Sequence, residues 1–176
     1  MIGGNRMFHS RKFIFLIILS IVFLTACGQS REDRVEEGIK TAEETFFAND
    51  KKGTEEIEGV KLYKPMGFTV EENSDAQNII FNKNGDMFIL FVNPNEDLDS
   101  QLFYDLLLAD ESKVIVAKET FKEDDTFGFV AIVESDDDTV ELVASVGGAK
   151  MTTRTNEKNI VKNIKPMMEI VRSIKY

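Results

Sequence analysis

The chain has 176 residues, 43% of them hydrophobic, with a formal charge of −10, one cysteine and one histidine. Such an acidic chain repels polyanions, since nucleic acid binding depends on Lys and Arg neutralising phosphates, and a single cysteine forbids any intramolecular disulfide. The one histidine is His9, so removal of the first residues would also remove imidazole chemistry.

Arg6, Arg11 and Lys12 precede an apolar run from Phe13 to Ala26 that only Ser20 and Thr25 interrupt. This is the charged n-region and apolar h-region of a secretory signal, and it falls short of the ~20 apolar residues a spanning helix needs. Leu24-Thr25-Ala26-Cys27 follows, and it resembles the lipobox of bacterial lipoproteins, in which a leucine and two small residues precede a cysteine. The resemblance implies cleavage between Ala26 and Cys27, a diacylglyceryl group on the Cys27 thiol, and a cell-membrane location on the extracytoplasmic face. The alternative is an uncleaved signal anchor in which Cys27 is a small hydrophobe.

Removing residues 1–26 takes away three positive charges and no carboxylate, so the formal charge moves from −10 to −13. Ten of the fourteen phenylalanines remain, enough for one core in a domain of this size. A body so negative is pushed from anionic headgroups, which leaves covalent acyl chains, at ~0.8 kcal/mol per buried methylene, to hold it.

Residues 27–58 read as a polar tether containing an amphipathic helix, with Val35, Ile39, Ala42 and Phe46 on one face and Gly38 weakening it by ~1 kcal/mol. This helix either packs back on its own domain or serves as a partner-binding helix on a stalk; Asn49 to Glu58 is the linker candidate. Residues 59–176 read as a globular α+β domain. Val60 to Tyr63 and Phe68 to Glu71 are strand pieces broken at Pro65-Met66-Gly67, which should bend an edge strand. Asn84-Gly85 joins strands Asn78 to Asn82 and Asp86 to Val92 in a tight hairpin. The second of these is apolar on both faces and is expected to be covered on both.

Asp97 or Asp99 is expected to cap a helix reaching about Asp110, with Leu102, Phe103, Leu106, Leu107 and Ala109 as a wide buried stripe. Strands are expected at Lys113 to Phe121, Thr126 to Glu134 and Thr139 to about Thr153. A closing helix from about Asn156 to Ser173 follows, which Pro166 should kink or divide. The result is a mostly antiparallel sheet of about six strands with helices on its faces, an α/β/α sandwich preceded by an N-terminal helix, in the order three strands and a helix, twice. Tyr63-Lys64-Pro65-Met66-Gly67-Phe68-Thr69-Val70 leading into the sheet, and Val171-Arg172-Ser173-Ile174 closing it, resemble the layout of PsbP/Mog1-like domains over about 115 residues. Phe68 stands where those domains often carry tryptophan. The resemblance implies a sandwich that binds or assembles rather than catalyses.

With no histidine after residue 26 and Cys27 acylated, serine–histidine and cysteine–histidine nucleophiles and zinc sites of nitrogen and sulfur ligands are excluded. Gly147-Gly148 lacks the remainder of a phosphate loop. Asn93, Asn95, Asp97 and Asp99 alternate like early calcium ligands, but Leu98 stands where the loop needs glycine and Tyr104 where it needs glutamate, so they read as a turn and helix cap. Asp136 to Asp138 and Glu123-Asp124-Asp125 read as solvated hairpin tips, with weak calcium binding as the alternative. Met66, Met87, Met151, Met167 and Met168 read as core filling rather than an adaptable groove. The expectation is thus a lipid-anchored, non-enzymatic binding or assembly module without catalytic residues, metal or cofactor. Its partner would be an envelope protein or a small ligand, with no nucleic acid. The alternatives are a paired-carboxylate hydrolase of envelope material and a weak calcium binder.

Overall fold

A computed structural model describes residues 29–136 and 138–175. The signal, the lipobox Leu24-Thr25-Ala26-Cys27 and the modification at Cys27 lie outside them, as does Asp137. One compact unit begins at Arg31.

The first helix, α1 (Arg31–Ala48), buries Gly38, Ala42 and Phe46, while Val35 and Ile39 pack half-buried against the core edge. The four-and-three spacing thus makes a packing face on this domain. Asn49 to Glu58 is not featureless, because β1 (Glu55–Ile57) pairs with β2 (Val60–Leu62) across a turn at Glu58 and Gly59. This hairpin stands apart from the main sheet, so the expected strand Val60 to Tyr63 does not join it.

The main sheet has seven strands rather than six, all antiparallel, in the order β3-β4-β5-β9-β8-β7-β6. They are β3 (Thr69–Val70), β4 (Asn78–Lys83), β5 (Asp86–Val92), β6 (Ile115–Glu123), β7 (Thr126–Glu134), β8 (Thr139–Val146) and β9 (Ala149–Asn156). The extra strand arises because the expected Thr139 to Thr153 strand folds at Gly147-Gly148 into the β8–β9 hairpin. Three strands of the main sheet therefore precede the second helix and four follow it. Asn84 and Gly85 both have positive φ, as the tight β4–β5 turn requires. Short β3 is an edge, reached from the turn in which the Phe68 N–H donates to the Pro65 carbonyl at 3.3 Å.

Alternation along β7 divides the core. Val130 and Ile132 face α1 and α3 (Ile160–Ser173), whereas Phe127, Phe129, Ala131 and Val133 face α2 (Leu102–Ala109). Helices on both faces of an antiparallel sheet make this an α+β sandwich. β7 is buried on both sides along nearly its whole length and β8 over Leu142 to Val146, whereas β5, expected to be covered on both sides, is not. In β5 only Phe88, Leu90 and Val92 are fully covered, while Met87 and Ile89 are exposed because short α2 reaches no farther than Phe91, whose ring meets Phe103.

Two helix expectations are also corrected. Neither Asp97 nor Asp99 caps α2; it starts at Leu102, whose N–H donates to Ser100 Oγ at 3.2 Å, because the preceding loop is held on the β8–β9 turn. Its wide stripe is split as well, since the sheet takes Phe103 and Leu107 and leaves Leu102, Leu106 and Ala109 in solvent. The chain after β9 makes a 3-10 turn at Glu157–Asn159, capped by Asn156, before α3 begins. Pro166 does not divide α3; buried Ile160, Ile164, Met167, Ile170 and Val171 bracket it, and packing of an apolar face outweighs the lost backbone bond.

Candidate binding surface

A depression lies between α1 and β6, the long open edge of the sheet. It has a volume of about 770 Å³, with Val35, Ile39, Val116 and Ala117 as its floor and Arg31, Glu32, Glu36, Lys40, Glu43 and Glu119 around it. Local sequence explains both walls. The second face of α1 is charged, and β6 ends in the alternating charges of Lys118, Glu119 and Lys122, the means by which open sheet edges avoid pairing with one another. At one end Arg31 is fixed by Glu134 at 2.9 Å and Glu157 at 2.7 Å. These hydrogen-bonded and charged partners, Glu134 foremost, raise the Arg31 pKa above its usual value. An apolar floor with a charged rim can retain an amphipathic ligand or peptide.

A second open area lies on the opposite sheet face, where Met87, Ile89, Thr152 and Arg154 surround the ion pair of Lys113 with Glu141. Nearby, burial lowers the pKa of Lys150, whose ammonium lies 5.1 Å from the centre of the Phe103 ring. Sequence reasoning missed both surfaces, because each is made by elements remote in the chain.

Among the described residues, the acids singled out in sequence do not converge. Among the described residues no three Asp, Glu, His or Cys side chains come together as a metal would need. Asn93 Oδ1 accepts from the Asn95 N–H at 3.1 Å, a turn as expected. Asp75 and Asp110 are held below the ordinary carboxyl range, Asp75 by the N–H groups of Asn78 and Gln77 and Asp110 by Ser112. A general acid needs the opposite shift. The methionines scatter too: Met151, Met167 and Met168 are buried, whereas Met66 and Met87 are exposed at separate places. Tyr63 and Ser173, from the two segments behind the fold resemblance, meet, the Tyr63 N–H donating to Ser173 Oγ at 2.8 Å.

The described fold is of the α+β class, an antiparallel sheet between helices. Among solved structures it is similar to the cyanobacterial PsbP protein, CyanoP, of Synechocystis sp. PCC 6803, at 12% identity and a TM-score of 0.39, over 71% of this chain and 96% of that one. The likeness is a distant one of layout. No family model and no curated protein matches the chain.

Proposed function

We propose that the protein is a lipid-anchored module on the extracytoplasmic face of a membrane, and that its folded part binds or assembles a partner rather than catalysing a reaction. The supporting observation is the α1–β6 groove, a wide apolar-floored surface with a charged rim. An envelope protein or a small apolar ligand suits it. Only Gly28, Gln29 and Ser30 separate Cys27 from α1, so an anchor on Cys27 keeps the start of the helix within ~14 Å of the attachment point. The groove then works close to the bilayer.

The test has two arms. Cells fed a clickable fatty acid should label the wild-type protein and not Cys27→Ala; an unlabelled protein that retains Met1 would remove the anchor. Photo-crosslinkers at Lys40 and Glu119, on the groove, should capture a partner in intact membranes that one at Asn84, on the β4–β5 turn, does not. Equal capture at all three positions would count against the groove. A hydrolase of envelope material would instead release product from purified cell envelopes and lose that activity on alanine substitution of one particular acid.

A further inference from the structure

α2 is apolar on two sides. Phe103 and Leu107 enter the core, while Leu102, Leu106 and Ala109, at i, i+4 and i+7, share the outward face. Leu102 is 36% and Leu106 55% exposed, with Leu108 at 47% on a flank and Leu98 at 39% just before the helix. A helix apolar around most of its circumference is suited to burial on more than one side, and α2 buries one. Scattered surface leucines need no explanation, but four within eleven residues of one short segment form a patch.

Charge indicates what covers it. Residues 93–112 contain Glu96, Asp97, Asp99, Asp105, Asp110 and Glu111 and neither Lys nor Arg. Among the described residues none of these six acids forms an ion pair. Of the nearby cations, Lys118 and Lys150 lie over the rings of Tyr104 and Phe103, and Lys113, which follows the segment and acts on Asp110, is paired with Glu141. We propose that α2 is a docking helix whose occupant is a protein surface of complementary chemistry, an apolar strip bordered by Lys and Arg. A second copy fits poorly, because pairing α2 with itself would oppose the same acids in a chain already at −10. An anionic bilayer is repelled for the same reason. This inference rests on the reading of the protein as a binding module and adds a second surface, on the sheet face opposite the groove.

The probe is a synthetic amphipathic helix with leucine along one face and lysine on the other, titrated into the folded domain and followed by amide chemical shifts. Binding should perturb residues 98–109, weaken with salt, and be absent for the same helix with glutamate replacing lysine. Leu102→Ser/Leu106→Ser keeps every acid and removes only exposed side chains. It should retain the wild-type melting temperature while binding about tenfold more weakly. Equal binding by this variant, or by the glutamate helix, overturns the proposal. So does a concentration-dependent dimer that the variant abolishes, which assigns the face to a second copy, and so does variant-sensitive retention on phosphatidylglycerol vesicles, which assigns it to lipid. Failure here with the Lys40 and Glu119 crosslinks intact removes α2 alone; loss of those crosslinks as well removes the binding module.

Discussion

Gly38 is poor helix material placed mid-helix, and its neighbour gives the reason. A Cβ there would lie 2.5 Å from Ile160 Cγ2, so the missing side chain is what lets α1 approach α3. Alanine would gain ~1 kcal/mol of helix propensity but overpack a filled core, at ~1–3 kcal/mol. Gly38→Ala should therefore lower stability in urea unfolding, and Gly38→Ala/Ile160→Ala should lose less than the two single changes together, because the truncated isoleucine leaves room for the methyl. Asp75 acts through hydrogen bonds instead, accepting from the N–H groups of Gln77 and Asn78, both at 2.8 Å. Its folded pKa lies below its unfolded one, so its contribution is present at neutral pH and is lost as pH falls through the folded value. Asp75→Ala should thus melt below wild type at pH 7, and the two curves should converge in acid; a gap unchanged from neutral to acid pH would refute the assignment.

At the scale of elements, the β8–β9 hairpin shows how a turn organises what it touches. A Cβ on Gly148 would lie 2.4 Å from the Asn93 carbonyl oxygen and one on Gly147 2.7 Å from that of Asp97, so the loop ahead of α2 rests directly on this turn. The Asn93 N–H also donates to the Gly148 carbonyl at 2.8 Å. Gly148→Ala should cost ~1–3 kcal/mol, since backbone cannot yield as a side-chain tip can. Amide exchange should speed up first in residues 93–109, ahead of α1 and α3. α3 is secured separately. Buried Asn163 donates to Thr155 Oγ1 at 3.1 Å and to Asp86 Oδ2 at 3.3 Å, and Arg172 pairs with Glu123 at 2.6 Å beneath the Phe46 ring. These contacts join the helix to β9, β5, β6 and α1.

For the whole molecule, α1 is part of the core rather than an appendage. Ala42 and Phe46 are fully buried, and a Cβ on Gly128 of β7 would lie 2.6 Å from the Phe46 ring, which fits against that glycine. Phe46→Ala should cost ~3–5 kcal/mol, a large share of the ~5–15 kcal/mol that holds a typical domain together. A fragment beginning at residue 59 should therefore lose the cooperative thermal transition of the full chain, as calorimetry would show. A fragment that melts cooperatively would mean instead that residues 27–58 are the tether their composition suggests.

What the sequence could determine alone is local in origin. The Asn84-Gly85 turn, the packing face of α1 and the extent of β7 follow from φ preferences and the periodicities of helix and strand, which need no distant partner. The bend at Gly147-Gly148 is equally local but was hidden by apolar residues on both sides of it. Tertiary structure alone decided which faces are covered: two-sided apolar patterns in β5 and α2 look the same in sequence as that of β7, yet of these three β7 alone is covered on both sides along its length. Burial depends on how far a neighbouring element reaches, and short α2 leaves Ile89 and Leu106 in solvent. The groove likewise exists only because residues some eighty positions apart, Val35 and Val116, are brought side by side.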